Sequence, residues 1–358
     1  MLRSVIIGTG SYIPTERVPN EFFHDSRFFE DYEKPLDPSD SPRIVGKFQQ
    51  ITEIGERRWV TDDLVASDIA FFAAERAVES AGIESESLDY IIFAHNFGDI
   101  RADNRRSDFV PSLAARVKQR LGIVNPECIA YDLPFGCPGW LQGMIQADYF
   151  LRSGDASRAL VIGAETLSRI SDPHDRDGMI YSDGAGATVL EARETDEAVG
   201  ILSHAARSDT YEHARLLWMG ESYDPDYGEN HLFLKMYGRK LYEYALTRVP
   251  GVVQTSLERA GLSLTDIDKV LLHQANAKMD EAILKRLFKL YGVSEIPEGI
   301  MPMIISWLGN SSVATVPTLL DLIVRGELDD QQLGSGDTVI MASVGAGMNI
   351  NSLVYRWV

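Results

Sequence analysis

The 358-residue sequence predicts an α/β fold in which two similar halves stack into a five-layered α/β/α/β/α arrangement. Two observations lead to this prediction. Apolar, strand-like runs alternate with helix-like stretches of about 10–15 residues, an order typical of βαβ units and of mostly parallel sheets. In addition, parts of the first half recur in the second half in the same order, which indicates a duplication.

The internal repeat is visible in two places. Residues 79–93 (ESAGIESESLDYIIF) correspond to residues 258–272 (ERAGLSLTDIDKVLL), and each copy reads as a helix end, a loop, an Asp and an apolar strand. The helix that Gly136-Cys137 opens has a counterpart that Gly309-Asn310 is expected to open. The chain is therefore divided into two predicted halves, residues 1–195 and 196–358.

Composition and charge exclude several classes of protein. The chain carries 34 Lys and Arg against 53 Asp and Glu, a net charge of −19, so non-specific nucleic-acid binding is not expected. Two cysteines make no disulfide scaffold, and no Cys/His cluster has the spacing of a metal site. No apolar run approaches the roughly 20 residues that a membrane span needs. The first apolar run, at residues 5–8, is too short for a signal peptide. A cytoplasmic protein without a membrane partner is predicted.

Cys137 is the candidate nucleophile. It lies between an apolar run and a helical stretch, in the turn Gly136–Gly139. The two glycines permit a sharp turn, Pro138 suits the first turn of a helix, and the helix dipole favours a thiolate at this place. A buried structural thiol is the alternative interpretation, and Cys128, which lacks such flanks, is expected to be one.

His273 and Asn310 are the candidate partners of Cys137. His273 follows an apolar strand, where an imidazole can act as an acid or base or donate a hydrogen bond to an oxyanion. Asn310 lies in a Gly-Asn-Ser segment, where its amide is a neutral hydrogen-bond donor. Each could also be structural, as a core histidine and a turn asparagine. All three residues lie at strand ends or helix starts, where sheets of this kind bind their ligands.

Together these motifs resemble the β-ketoacyl-acyl carrier protein synthase III family of the thiolase superfamily. The resemblance runs along nearly the whole chain, through GTGSYIP (8–14), GERR (55–58), the Cys137 turn, DPHDR (172–176), DGAGA (183–187), HQAN (273–276), GNSS (309–312) and GAG (345–347). The ordered Cys, HQAN and GNSS set is its specific part. The resemblance implies the thiolase-like form of the five-layered fold.

The resemblance also implies an activity. Cys137 would take an acyl group from a thioester primer, while His273 and Asn310 promote decarboxylation of a malonyl thioester and stabilise its enolate. The carbanion would then attack acyl-Cys137 and give a 3-oxoacyl-acyl carrier protein, at the start of fatty acid biosynthesis or in a related pathway. Backbone N–H groups of Cys137 and Ala346 would form the oxyanion hole. No metal or other cofactor is expected, and the expected assembly is a homodimer.

An acidic acyl carrier protein is the expected partner, although this chain is itself acidic. The segment after His273, if helical, has an apolar face made of Met279, Ile283, Leu287 and Leu290. Its other face carries a basic stripe made of Lys278, Lys285 and Lys289. By the resemblance the carrier protein docks on this stripe, and an ordinary solvated surface is the alternative.

The primer is less well specified than the chemistry. By the resemblance, Arg176 and Asn276 contact the substrate or its coenzyme A carrier. Lys47 and Ile51 stand where relatives that use a coenzyme A primer commonly have Trp and Arg. The primer is therefore either an acyl-coenzyme A or an acyl group delivered by a carrier protein.

Two insertions and two tryptophans surround the expected site. An insertion covers residues 25–46, and the longer loop 96–110 brings three arginines, at 101, 105 and 106, towards the expected dimer interface and pocket mouth. Trp140 lies three residues after Cys137, and Trp307 lies three residues before Asn310. They either narrow an acyl tunnel or pack in the core.

Other functions of the same fold fit the sequence less well, with one exception. A thiolase needs a second reactive Cys near the C-terminus, which the 345–347 loop lacks, and plant-type polyketide synthases usually have a longer chain. Hydroxymethylglutaryl synthases need a carboxylate base that cannot be placed here. A catalytically silent subunit would be expected to have lost one of the three site residues. A specialised-metabolism acyltransferase or ketosynthase, acting on a non-standard acceptor, stays open.

Overall fold

Two β-sheets organise the computed structural model, which describes residues 1–32, 34–227 and 231–358. The strands are β1 (Leu2–Tyr12), β2 (Glu16–Pro19), β3 (Glu56–Trp59), β4 (Tyr90–His95), β5 (Ile129–Pro134), β6 (Arg158–Thr166), β7 (Asp183–Glu194), β8 (Gly200–Ser208), β9 (Leu217–Gly220), β10 (Phe233–Met236), β11 (Lys269–Leu272), β12 (Thr338–Gly345) and β13 (Asn349–Arg356). The helices are α1 (Ser41–Thr52), α2 (Ala66–Ala81), α3 (Leu113–Arg120), α4 (Gly139–Ser153), α5 (Thr210–His213), α6 (Gly238–Ala260), α7 (Ala277–Leu290), α8 (Ile305–Leu308) and α9 (Thr315–Val324).

The two large sheets are mixed, not mostly parallel as the sequence suggested. The first has the order β1-β7-β6-β4-β5 and the second the order β11-β12-β13-β8. Only the pairs β4–β5, β4–β6 and β11–β12 are parallel. The turn Ala346–Met348 joins β12 directly to β13, and a connection that short can only give an antiparallel pair.

Four strands recur in the same order in both halves, as the duplication predicted from the sequence implies, and β5 is an additional strand of the first sheet. β1, β7, β6 and β4 of the first sheet correspond in order to β8, β13, β12 and β11 of the second. The repeated Asp has the same task in both copies. Asp89 Oδ2 accepts the N–H of Arg158 at the start of β6, at 2.9 Å, and Asp268 Oδ2 accepts the N–H of Thr338 at the start of β12, at 2.8 Å. The division predicted after residue 195 falls in the connection between β7 and β8.

Five layers follow from where the helices bury their apolar faces. α4 and α9 contribute Met144 and Leu319 to a core that also contains Val161 of the first sheet and Met341 of the second. These two helices therefore form the central layer between the sheets. α2 and α3 cover the outer face of the first sheet, and α6 and α7 cover that of the second. This is the predicted α/β/α/β/α order.

The structure corrects three local details. The helix expected to open at Asn310 begins only at Thr315, after the short helix α8 and a 3-10 turn. Leu290, placed on the apolar face of α7, is 52% exposed because it is the last residue of that helix. Trp140 is buried in the central layer and Trp307 packs against the same core, so both have a packing role. Across the described ranges, no helix is long and apolar enough to span a bilayer.

Candidate active site

A cavity of about 440 Å³ lies between the two halves and is lined mainly by apolar side chains. Its polar lining includes Asn96, Cys137, His273, Asn310, Ser312 and Asn349. The structure thus brings the three predicted residues to one cavity. Cys137 comes from the first half of the chain, and His273 and Asn310 come from the second.

Cys137 lies between the end of β5 and the start of α4. Gly136 before it has φ 78°, a left-handed conformation that lets the chain turn sharply into the helix. Burial raises the pKa of the Cys137 thiol to about 11, and the hydrogen bond from the Ser312 hydroxyl, at 3.3 Å, lowers it less. Burial therefore disfavours the thiolate that was expected at this helix start, and the resting group is a neutral thiol.

Two glycines let the C-terminal loop press against the Cys137 turn. A Cβ on Gly136 would lie 2.9 Å from the backbone nitrogen of Ala346, and one on Gly345 would lie 2.5 Å from that of Cys137. Both distances are too short for any side chain. The peptides around Cys137 and Ala346 are therefore held side by side at the cavity wall, as the predicted oxyanion hole requires.

His273 follows β11 and is fixed by its backbone. Its N–H donates to the carbonyl of Ala342 on the parallel neighbour β12, at 2.8 Å. Burial lowers the pKa of the imidazole to about 4, and a contact with the Ser312 backbone offsets this only in part. The ring is therefore neutral near pH 7. Its Nδ1 is buried with no hydrogen-bond partner among the described residues.

Asn310 is held by main-chain hydrogen bonds on both sides. Its N–H donates to the Ile180 carbonyl and its carbonyl accepts from the Ser182 N–H, each at 2.9 Å. Its side-chain Oδ1 accepts the Ser312 N–H at 2.8 Å. Because an N–H can only donate, this bond identifies Oδ1, and the amide NH₂ is the part left for a ligand in the cavity.

Ser312 has no role in the sequence-based prediction beyond its place in the GNSS motif, yet it contacts all three predicted residues. Its hydroxyl donates to the Cys137 sulfur, its N–H donates to the Asn310 amide oxygen, and its backbone contacts the His273 ring. Its φ is 54°, an uncommon value for a residue with a side chain. Strain of this kind often accompanies a functional constraint.

Gln274 is a second residue to which sequence reasoning gave no role. Its Oε1 accepts the N–H groups of Ile304 and Ile305, at 2.8 and 3.0 Å, and its Nε2 donates to the Pro302 carbonyl. Gln274 thus ties the strand end that carries His273 to the segment that leads to Asn310. In the sequence, its position directly after His273 is the feature that could have indicated this role.

The hairpin of β9 and β10 forms one wall of the cavity. Leu234 and Met236 line the cavity, whereas Lys235 between them is fully buried on the opposite side. The Lys235 ammonium contacts the Asp172 carboxylate and lies 3.4 Å from that of Asp175. Burial raises the pKa of Asp175 to about 6. The hairpin is therefore pinned to the loop that contains the DPHDR motif.

The remaining predicted residues lie outside the cavity lining. Arg176 is exposed, and Asn276 caps α7 by accepting the Met279 N–H at 3.1 Å. The three lysines of α7 that form the predicted docking stripe are all exposed, namely Lys278, Lys285 and Lys289. Their contact with a substrate or carrier protein stays a prediction.

The inserted loop 96–110 reaches the hairpin wall. The Arg105 guanidinium lies 5.7 Å from the centre of the Phe233 ring in β10. Arg101 pairs with Asp103 at 2.8 Å within the loop. Phe233 lies on the same face of β10 as Lys235, away from the cavity. The approach of the three arginines to the pocket mouth therefore stays a prediction.

The chain is similar to known proteins along almost its whole length. The family model for 3-oxoacyl-[acyl-carrier-protein (ACP)] synthase III matches residues 131–210, and the one for its C-terminal part matches residues 257–357. β-Ketoacyl-[acyl-carrier-protein] synthase III from Xanthomonas campestris pv. campestris is 34% identical over 358 residues, covering 99% of this chain and 98% of the relative.

Solved structures give the same result. 3-Oxoacyl-(acyl carrier protein) synthase III from Pseudomonas aeruginosa PAO1 has a TM-score of 0.80 and 27% identity, covering 99% of this chain and 98% of that one. The priming β-ketosynthase of the R1128 polyketide biosynthetic pathway has a TM-score of 0.80 and 25% identity, covering 99% and 96%. The chain belongs to the 3-oxoacyl-[acyl-carrier-protein] synthase III family of acyltransferases, with the thiolase-like fold that its Cys, HQAN and GNSS motifs indicated.

Proposed function

We propose that this protein condenses an acyl thioester primer with malonyl-acyl carrier protein, releasing CO₂ and giving a 3-oxoacyl-acyl carrier protein. One observation carries the proposal. Cys137, His273 and Asn310, from opposite halves of the chain, line a single cavity whose other walls are mainly apolar. A thiol, a neutral imidazole and a free amide are the groups that such a condensation needs.

In the first half-reaction the Cys137 sulfur attacks the carbonyl carbon of the primer thioester. The N–H groups of Cys137 and Ala346 hold the oxyanion, and the Ser312 hydroxyl donates to the sulfur as it gives up its proton. The leaving thiolate of coenzyme A or of the carrier protein ends with that proton. Because the pKa of the resting thiol is about 11, the thiolate is a minor species near pH 7, and the thiol loses its proton as the sulfur attacks.

In the second half-reaction the malonyl thioester loses CO₂ and becomes an enolate. Neutral donors suit this step, because an acidic donor such as a protonated imidazole could transfer its proton to the enolate carbon. His273, with a pKa of about 4, and the Asn310 NH₂ group hold the enolate oxygen. The carbanion then attacks the acyl-Cys137 carbonyl, and the sulfur leaves and regains a proton. No step requires a metal or a redox cofactor.

The proposal is tested by intact-protein mass spectrometry after incubation with a panel of acyl-coenzyme A and acyl-carrier thioesters. Wild type is expected to gain one acyl group, and Cys137→Ser is expected to gain none. Cys128→Ser is the matched control, because Cys128 is a free cysteine buried away from the cavity. The same adduct on the Cys137→Ser variant would refute the assignment of the nucleophile. The panel also identifies the primer.

An acyl carrier protein is the proposed partner, docked on α7. Lys278 lies in the first turn of that helix, close after the strand that leads to His273. Lys285 pairs with Glu281 at 3.2 Å, so its charge is partly offset, whereas Lys278 and Lys289 form no ion pair with a described residue. These lysines give an acidic chain a local basic surface near the site.

A homodimer is proposed through β5, one of the two edge strands of the five-stranded sheet. Among the described residues no strand pairs with its outer side, which is the arrangement that strand pairing between subunits uses. Exposed apolar side chains lie on or near it, with Ile129 49% and Phe109 43% exposed. The mass in solution, compared with that of Ile129→Lys, tests this proposal, and a wild-type monomer would refute it.

A cytoplasmic location is proposed as well. Both cysteines are free thiols, and a reducing compartment keeps them so. Cys137 must stay reduced to act as a nucleophile.

A second candidate is a priming ketosynthase of a specialised pathway. The likeness to the R1128 priming enzyme, at a TM-score of 0.80, equals that to the Pseudomonas aeruginosa enzyme. Release of CO₂ from a malonyl thioester, together with the primer found in the panel, separates this candidate from an enzyme of primary fatty acid synthesis and from a non-decarboxylating acyltransferase.

A further inference from the structure

Two residues beside the nucleophile have no part in the mechanism above, Asn96 and Glu165. Asn96 directly follows β4 and lines the cavity, and Glu165 is the penultimate residue of β6. β4 and β6 are parallel neighbours, so their carboxyl ends lie at the same edge of the sheet. Glu165 is 1% exposed and touches the cavity only through Asn96.

Both the oxygen and the nitrogen of the Asn96 side-chain amide form hydrogen bonds. Its Oδ1 accepts the Gly136 N–H at 2.7 Å. Its Nδ2 donates to Glu165 Oε1 at 2.7 Å and to the Ser312 hydroxyl at 3.3 Å. Since the Gly136 N–H can only donate, the amide cannot be flipped. Asn96 therefore joins the Cys137 turn of one half to the Asn310 segment of the other.

This arrangement fixes the direction of the Ser312 hydrogen bond. A hydroxyl has one proton and two lone pairs. Because Asn96 donates to the Ser312 oxygen, the Ser312 proton points away from Asn96, and the Cys137 sulfur, 3.3 Å away, is the acceptor that the described residues offer it. Successive hydrogen bonds in such a chain also strengthen one another. The bond that reaches the sulfur therefore depends on Asn96.

Glu165 accepts hydrogen bonds from Asn96 on the side away from the cavity. Its Oε1 also accepts the Asn96 backbone N–H at 2.5 Å, so main chain and side chain are gripped by one oxygen. Among the described residues it forms no ion pair with a Lys or Arg. Burial raises the pKa of Glu165 to about 8, and the negative charge of Asp183 on β7 contributes to this increase. Glu165 can thus grip Asn96 near pH 7 without placing a full negative charge close to the thiol.

We propose that Asn96, held by Glu165, is a positioning residue that fixes the Ser312 hydroxyl as a hydrogen-bond donor to the Cys137 sulfur. The proposal rests on Cys137 being the nucleophile proposed above. The donor matters twice in each cycle, when the sulfur loses its proton to attack the primer and when it leaves the acyl group during condensation. In both steps a hydrogen bond to the sulfur favours its anionic form.

The test measures alkylation of Cys137 by iodoacetamide, which needs no acyl substrate, beside kcat and KM for condensation. All variants carry Cys128→Ser. Asn96→Ala is expected to slow alkylation and kcat by about 10- to 100-fold, as misplaced catalytic groups do, with KM within about 3-fold. Glu165→Gln can still accept from Asn96 and is expected to retain most of both rates near pH 7. Above pH 8 it should be alkylated faster than wild type, because the Glu165 carboxylate no longer opposes the thiolate.

A double-mutant comparison tests whether Asn96 acts through Ser312. Asn96→Ala and Ser312→Ala together should cost clearly less than the product of their separate effects. Asn351→Ala is the matched control, since Asn351 is a buried amide on β13 that bonds Gln142 at 2.8 Å and makes no bond to the site. Thermal unfolding of every variant separates loss of folding from loss of positioning.

Two results would overturn the proposal: alkylation of a folded Asn96→Ala variant within 2-fold of wild type, or multiplicative losses in the double mutant. If Asn96→Ala does not fold, Glu165→Ala decides, because it removes the oxygen that holds the Asn96 main chain and side chain, and alkylation within 2-fold of wild type then contradicts the proposal. Failure of the proposed function shows itself separately, as wild-type protein that is alkylated at Cys137 but gains no acyl group from any thioester.

Discussion

Asn310 allows the sharpest test of the mechanism, because its backbone and its side chain have separate tasks. The backbone is held by Ile180 and Ser182, at 2.9 Å each, and neither bond involves the side chain. The amide oxygen is occupied by the Ser312 N–H at 2.8 Å, which leaves the NH₂ group for the enolate. Asn310→Ala removes this donor, and Asn310→Asp replaces it with an acceptor while the other oxygen can still accept from Ser312.

The expected loss follows from the step in which the donor acts. Removal of one oxyanion donor costs about 2.7–4 kcal/mol, or roughly 10²- to 10³-fold in kcat. This loss should fall on CO₂ release and condensation. Acylation of Cys137 should change by less than about 10-fold, because in the proposed mechanism the backbone N–H groups of Cys137 and Ala346 hold the oxyanion of that step. Asn310→Asp should lose at least as much as Asn310→Ala, since its free oxygen would repel the enolate.

The assay follows the two half-reactions separately. Rapid-quench mass spectrometry gives the rate at which Cys137 is acylated, and CO₂ release from a malonyl-carrier thioester gives the rate of decarboxylation. Asn351→Ala is again the control for the loss of a buried amide. If acylation and CO₂ release fall by equal factors in Asn310→Ala, or if neither falls, the assignment of the Asn310 amide to the enolate is wrong.

Three further predictions concern the thiol, the docking surface and the loop contact. Since burial raises the pKa of Cys137 to about 11, its alkylation rate should rise about tenfold per pH unit between pH 7 and 10, and a profile flat above pH 7 would reveal a thiolate at rest. Lys278→Glu with Lys285→Glu should raise KM for a carrier-borne substrate by about 10-fold and leave small thioesters within about 2-fold. Equal kinetics on both kinds of substrate would remove α7 as the docking site. Gly345→Ala, whose new Cβ would lie 2.5 Å from the Cys137 nitrogen, should lower the free energy of unfolding by roughly 1–3 kcal/mol and abolish most activity. A stable, active variant, judged by denaturant titration and acylation rate, would show that the two loops do not press together.

Much of the architecture was available from the sequence, because the features concerned are local. The matching helix ends, loops and Asp residues of the two halves were legible at residues 79–93 and 258–272, and the structure gives the repeated Asp one task in both copies. The glycines around Cys137 predicted a sharp turn for a similar reason. A φ of 78° at Gly136 is a property of a single residue and its type.

What the sequence could not supply depends on contacts between distant residues. The protonation state of Cys137 was expected to follow from the helix start, but burial by segments of both halves decides it. Asn96 lies 69 residues from Glu165 and 216 from Ser312, and no local pattern links them. The exposure of Leu290 followed from where α7 stops, which its apolar spacing does not reveal.

Because residues of both halves form the site, Cys137 can also report on how the two halves are docked. Cys137 comes from one half of the duplicated chain, and the groups that bury it, including Ser312 and Gly345, come from the other. Separation of the halves would expose the thiol and return its pKa towards the ordinary range before either sheet had to unfold. Labelling of this one cysteine in mild denaturant therefore gauges the docking of the halves, and circular dichroism gauges the folding within them. A difference between the denaturant midpoints of the two transitions would show how strongly the two duplicated halves are docked, apart from the stability of each half.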